Sequence, residues 1–276
     1  MAEISQWTAE GIGFRRVDVA VGERLAFSKV MFEEVVLLAF TGATWHSEQA
    51  GRRELETPDC VVMRDAGQVF SARLGEVLDP RGSVCRELHF SPAKLRELCE
   101  GMAFELREPV LIEPGLSREL LRVHRTFERD GATLEASSDL LRLLATIAAR
   151  TRGHGARIAA CSRRTQRVID YLRAHFAEKV TLAELGQVTD SNPFVLLRQF
   201  QKQTGVSPHD YLSAYRVYRA QQYLDRGLKL SEIAHRCGFS DQSHLNRQFK
   251  RRLGVAPRAL KSTSSNTRTE ARAKSV

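Results

Sequence analysis

Hydrophobic positions along the chain follow two periods. Between Leu25 and Phe90 they fall in short β-prone runs, Val35 to Phe40, Glu54-Leu55-Glu56, Cys60 to Met63, Val69 to Ala72 and Cys85 to Phe90, separated by Gly, Pro, Asp and Ser. Runs of this length bounded by turn residues predict the strands of an antiparallel barrel or sandwich. Beyond Ser91 the spacing becomes helical. Ser91-Pro92 opens a helix through about Met102, Ser117 to Arg129 makes a second, and Ser138 to Arg150 a third, with Leu140, Leu144 and Ile147 on one stripe. Two glycines between Arg150 and Ala156 break that helix, so residues 1–150 read as one domain and 151–163 as a linker. The longest unbroken apolar run, Val35 to Phe40, is far shorter than the roughly 20 residues of a membrane span, so no membrane partner is expected.

The C-terminal part repeats itself. Leu185-Gly186 matches Ile233-Ala234 at an offset of 48, and Leu196, Arg198, Phe200 and Gly205-Val206-Ser207-Pro208 match Leu245, Arg247, Phe249 and Gly254-Val255-Ala256-Pro257 at an offset of 49. Each copy reads as a short helix, a turn, a second helix and a Gly-Val-x-Pro exit, which is two helix-turn-helix units in tandem. Asn192 followed by Pro193, and Asp241 in the second copy, have the chemistry of helix N-caps. Gly205 and Gly254 sit where a left-handed residue ends a helix, and Pro208 and Pro257 stop its resumption. His209 to Arg226 carries Tyr211, Leu212, Tyr215, Tyr218 and Leu224 with no Pro and no Gly, which predicts one continuous helix about 27 Å long. Such a rod would hold the units apart by close to one DNA turn, about 34 Å, so that one monomer reads two successive major grooves.

Charge separates along the same boundary. Residues 1–156 hold 20 Lys and Arg against 24 Asp and Glu, a net −4, whereas residues 157–276 hold 22 against 9, a net +13. A half this basic requires an anionic partner, a nucleic acid or a membrane surface, and the repeat selects duplex DNA. On the second helix of each copy, Leu196/Phe200 and Leu245/Phe249 are spaced i, i+4 and must face the core. The opposite faces carry Phe194, Leu197, Arg198 and Gln201 in the first copy and Ser243, Asn246, Arg247 and Lys250 in the second. In the major groove Arg reads guanine, Asn reads adenine, and an apolar side chain meets the thymine methyl.

These residues resemble the AraC/XylS-type transcriptional regulators over about Thr165 to Leu260. The most specific stretch is Ile233-Ala234-x-x-x-Gly238-Phe239-Ser240-Asp241-Gln242-Ser243-His244-Leu245-x-Arg247-x-Phe249-Lys250, then Gly254-Val255-x-Pro257; Arg216-Val217-Tyr218-Arg219-Ala220 is similar to the family's central-helix motif. Gly186, Cys237, Leu245 and Ala259-Leu260 depart from its usual residues. The resemblance implies base contacts from Phe194, Leu197 and Arg198 on the first recognition helix and from Gln242, His244, Asn246 and Arg247 on the second. It places Lys202, Lys250 and Arg251 on phosphates, where they position the protein without specifying sequence. It also implies an α+β two-domain chain. A cupin-like antiparallel β-barrel with following helices would sense an effector and dimerise, and an all-α domain over 164–261 would bind DNA. The implied function is a sequence-specific, effector-responsive regulator of promoter DNA, an activator in contact with RNA polymerase.

Other chemistry is sparse. A cupin metal site needs closely spaced histidines plus a carboxylate, and Trp45-His46-x-Glu48 offers one, with His89 the other histidine of the β region. No metal or cofactor is expected. Phe40, Trp45, Met63 and Phe70 would line a pocket or equally form ordinary core, and His124, His154 and Cys161 read as structural. The five cysteines are an odd number at wide spacings, which predicts reduced thiols and no disulfide framework. Met1 to Glu10 contains two Glu and no basic residue, neither a signal nor a transit peptide, which points to the cytoplasm. Residues 262–276 are polar and aperiodic and read as a disordered basic tail. Two alternatives to a regulator stay open. One is a non-specific architectural DNA-binding protein; the other is a DNA-modifying or repair enzyme, which needs a reactive or zinc-bound cysteine cluster that Cys60, Cys85 and Cys99 are too scattered to form. Catalysis is accordingly not expected.

Overall fold

The computed structural model describes residues 3–99, 109–151 and 162–257. Most of the linker with His154 and Cys161, and the tail at 262–276, lie outside the described residues, whereas the helix expected through about Met102 ends earlier, at Leu98, with Cys99 as its C-cap.

Ten strands are described, in two antiparallel sheets. The first runs β1 (Glu3–Ala9), β2 (Ile12–Val19), β9 (Ser83–Phe90), β4 (Val35–Thr41), β7 (Cys60–Arg64) and β10 (Val110–Ile112); the second runs β3 (Ala26–Met31), β8 (Val69–Val77), β5 (Ala43–Gln49) and β6 (Arg52–Glu56). Among the described strands no ladder joins one sheet to the other, so they lie face to face and the cupin-like barrel is open rather than closed. β4 explains the longest apolar run. Its Val35, Leu37 and Ala39 pack outward under helices, and its Phe40 and Leu38 pack inward between the sheets, so both faces are buried. β5 shows the half-buried alternative, with Ala43, Trp45, Ser47 and Gln49 buried and His46 and Glu48 exposed.

Three helices come after β9, the first of them before β10, and all three pack on the outer face of the first sheet. α1 (Pro92–Leu98) starts as expected, with the Ser91 hydroxyl accepting from the Lys94 amide at 3.1 Å and Pro92 in the first turn. α2 (Pro114–Asp130) and α3 (Leu134–Thr151) begin a few residues before their predicted starts. Their Leu120, Phe127, Leu140, Leu144 and Ile147 join Phe14, Leu37 and Leu88 of the sheet in one core.

The helical domain contains α4 (Arg163–Ala174), α5 (Leu182–Thr189), α6 (Pro193–Thr204), α7 (Pro208–Asp225), α8 (Leu230–Arg236) and α9 (Gln242–Leu253). The central rod α7 spans 18 residues and begins one residue earlier than predicted, because Pro208 occupies its first turn and the Ser207 hydroxyl caps it by accepting from the Asp210 amide. The same proline therefore terminates α6 and starts α7. This domain is docked on strand β3. Lys29 pairs with Asp210 at 2.8 Å, Arg252 donates to the Lys29 carbonyl at 2.6 Å, Arg173 pairs with Glu33 at 2.9 Å, and the Tyr218 hydroxyl donates to Glu34 at 3.1 Å. Between these polar ties, Val30 and Phe27 share one apolar cluster with Val217, Ala220 and Leu253. Gly205 and Gly254, the left-handed residues ending α6 and α9, lie against the backbones of Ala50 and Ala26.

Candidate nucleic-acid interface

Each helix-turn-helix unit is built by local hydrogen bonds that its sequence dictates. In the first, Thr181 and Glu184 form a reciprocal capping box on α5, and Asn192 Oδ1 accepts from the amides of Phe194 and Val195 at 3.0 and 3.4 Å. In the second, Asp241 Oδ1 accepts from the His244 amide at 2.7 Å. That bond, with help from Ser240, holds the Asp241 carboxyl below its ordinary range. The turns correspond closely. Asp190 and Gly238, 48 residues apart, both adopt left-handed backbone with φ of 47° and 69°. Gly186 is explained by its neighbours, because a Cβ there would lie 2.8 Å from the Ser191 carbonyl oxygen and 3.0 Å from the Pro193 ring.

Leu196 and Phe200 on α6, and Leu245 and Phe249 on α9, are fully buried, as the i, i+4 spacing required. The outer faces are therefore open. Phe194 is 74% exposed, Arg198 and Lys202 are exposed, and Leu197 is half-buried beside them. On α9, Arg247, Lys250 and Arg251 are exposed, Asn246 is half-buried on their flank, and Gln242 is half-buried in the first turn. His244 is more constrained. Its ring lies 3.3 Å from the Ser240 hydroxyl and edge-on to Phe239, so it braces the turn as well as flanking the open face. Among the described residues Arg198, Lys202, Arg247, Lys250 and Arg251 make no direct ion pair, although the Arg247 charge is felt by Asp241, unlike Arg15, Arg64 and Arg86 in the sheet domain, which contact carboxylates.

A second site lies between the sheets, which the sequence pattern had not resolved. A cavity of about 50 Å³ is lined by Phe40, Trp45 and Phe70 and closed on the helical side by Gln221 and Leu253. Met63 is on the other face of its strand, packed under the helices. Two buried ion pairs border the cavity, Arg15 with Glu87 at 3.7 Å and Arg64 with Glu56; Arg64 also stacks on Phe70 at 4.9 Å. Burial alone would raise Glu87, but the Arg15 charge and the His89 ring, 2.9 Å away, bring its carboxyl down to about 2. Arg15 Nε, Arg64 Nε and Trp45 Nε1 are buried donors with no hydrogen-bond partner among the described residues. Arg15 and Glu87 sit on strands far apart in sequence, which no local spacing could have revealed, whereas Arg64 and Glu56 lie on the consecutive strands β7 and β6. The cysteines have a different character. Cys60, Cys85, Cys99 and Cys237 are free and buried, and burial pushes the Cys237 thiol up to about 12, the opposite of a reactive thiolate.

Residues 185–263 match the model of a helix-turn-helix domain. Over 78 residues the chain is 40% identical to the uncharacterized HTH-type transcriptional regulator YbfI of Bacillus subtilis, covering 28% of each protein. Over 95 residues it is 33% identical to the HTH-type transcriptional activator RhaS of Escherichia coli, covering 34% of each. The chain thus spans about a third or less of the length of these curated relatives. Solved structures extend the likeness to the whole fold: ToxT from Vibrio cholerae superimposes with a TM-score of 0.69 at 11% identity, covering 92% of this chain and all of that one. A second ToxT structure, with an unsaturated fatty acid bound, gives 0.64 at 12% identity over 93% of this chain and 98% of that one.

Proposed function

We propose that this chain, whose C-terminal region is a helix-turn-helix domain of the AraC/XylS type, is a sequence-specific regulator of transcription that reads promoter DNA through both units at once. One observation carries the reading: two recognition helices with open faces and exposed cations are mounted on a single 18-residue rod. At about 1.5 Å per residue that rod approaches the repeat of one DNA turn. Phe194 and Leu197 suit thymine methyls and groove shape, whereas Arg247 and Asn246 suit guanine and adenine edges. Lys202, Lys250 and Arg251 take phosphates.

The sheet domain supplies control. A ligand that brings hydrogen-bond acceptors and an apolar body would satisfy Arg15 Nε, Arg64 Nε and Trp45 Nε1 within an aromatic lining. The fatty acid bound to ToxT makes long-chain carboxylates the first compounds to test. At about 50 Å³ the cavity is well below the roughly 300 Å³ or more of a small-molecule site. A ligand must therefore displace a wall, and Gln221 and Leu253 of the helical domain belong to that wall. Activation is the role suggested by the likeness to the activator RhaS, and an activator's partner would be RNA polymerase. Exposed Leu134 and Leu141 on α3 give a homodimer its contact. In this reading the chain acts by binding and not by catalysis.

The test is selection of bound duplexes from a random DNA library at ~150 mM salt, where non-specific attraction is screened. The expected product is a bipartite motif with half-elements about one helical turn apart. A single short element would overturn the two-groove reading, and no enrichment with or without fatty acid would overturn sequence-specific binding.

A further inference from the structure

We infer that the first turns of α4, outside the residues matched by the helix-turn-helix model, form a clamp for the DNA sugar-phosphate backbone through Arg163, Arg164 and Arg167. The inference rests on the two-groove reading. The first recognition helix is poor in cations, because its open face carries Phe194, Val195 and Leu197 and only Arg198 and Lys202. α9 by contrast carries Arg247, Lys250 and Arg251 on its own surface. The missing charge lies next door on α4. The Ser162 amide donates to Gln203 Oε1 at 2.9 Å and Arg164 Nη1 donates to Gln199 Oε1 at 3.2 Å, which lays α4 along one flank of α6. On α6, Lys202 falls between those glutamines and the open face, so Arg164 and Lys202 continue one basic ridge.

Arg163, Arg164 and Arg167 are all exposed, and among the described residues none has a carboxylate partner. Asp170, the acidic residue of this helix, is bound by Gln166 at 2.9 Å. Arg167 donates one nitrogen to the Val188 carbonyl, which fixes it at the end of α5 with its remaining donors available. A helix about 10–12 Å across nearly fills a major groove about 12 Å wide, so whatever flanks it meets the phosphates of the adjoining strand. An arginine ridge on that flank is the complement of a phosphate row.

The experiment is the salt dependence of DNA affinity for the full chain, on a selected bipartite duplex and on a random duplex of equal length. R163Q/R164Q should weaken binding to both duplexes by the same factor and reduce the log–log salt slope by about two, with Lys250→Ala reducing it by about one as reference. R163K/R164K, which keeps the charge, should retain the parental slope and guards against a folding defect. An unchanged slope in R163Q/R164Q beside a reduced slope in Lys250→Ala would overturn the clamp alone. A loss confined to the selected duplex would make these residues base readers and also overturn it. If Lys250→Ala leaves the slope unchanged as well, the DNA reading fails and the clamp with it.

Discussion

Arg247 is the residue on which the base-reading proposal turns most sharply. It is exposed, makes no direct ion pair among the described residues, and lies opposite the Leu245/Phe249 face of α9. Arg247→Ala should cost about 1–3 kcal/mol at the selected site and relax preference at one base pair, measured by competition against single-base variants. Equal losses on random duplexes would reassign it to phosphate. His124 makes a separate prediction about stability. Its ring is buried between Arg86 Nη1 at 2.8 Å and the Arg15 carbonyl at 3.0 Å, with Glu128 and Glu87 nearby, and burial followed by the Arg86 charge brings it from 6.5 down to about 4. The folded chain keeps the ring neutral while the unfolded chain takes up a proton. Stability should therefore fall as pH drops from about 6.5 towards 4, by about 3 kcal/mol across the window. Glu87, brought down to about 2, adds its own loss only below roughly pH 4.5. Thermal unfolding midpoints against pH should decline more shallowly in His124→Gln above pH 4.5.

At the scale of elements, the helical domain was almost fully legible and the sheet domain only in part. The recognition helices, their caps at Asn192 and Asp241 and their terminal glycines follow from local chemistry, because a helix writes its boundaries in neighbouring residues. The strands that escaped the pattern, β1, β2, β3, β5 and β10, are those where polar residues interrupt or alternate with apolar ones, or which are very short. β2 places Arg15 and Arg16 in mid-strand, and they are accommodated there by Glu87 and Glu128, partners 72 and 112 residues away. A local window contains only Asp18, which pairs with Arg16 at 2.7 Å, and neither Glu87 nor Glu128. Phe249 tests the assignment of faces on α9. It is fully buried with Leu245, Ile233 and Phe239 in one cluster. Phe249→Ala should destabilise the domain by about 3–5 kcal/mol, seen in denaturant unfolding. An unaltered midpoint would mean that the groove and core faces had been exchanged.

The molecule as a whole is tied together at Asp210. Its carboxylate receives Lys29 at 2.8 Å from the sheet domain and Arg252 at 3.5 Å from its own, and the Arg252 side chain is 4% exposed. Asp210→Ala would leave that guanidinium buried without its carboxylate, a loss of about 1–3 kcal/mol once the partial exposure of Asp210 is allowed for. Denaturation should register that loss, and limited proteolysis between the domains should quicken. A transition identical to the parent would show that β3 is held by its apolar contacts alone. The docking on β3 has a further consequence for engineering. Val30 and Phe27 share their cluster with Val217 and Leu253, and the ends of both recognition helices lie against Ala50 and Ala26. The sheet domain is thus not a cartridge to be exchanged between residues 151 and 162. A chimera that grafts a different N-terminal domain onto residues 162–257 inherits an uncovered apolar strip along α7 and α9, and will remain soluble only if its donor brings a strand shaped like β3 to cover it.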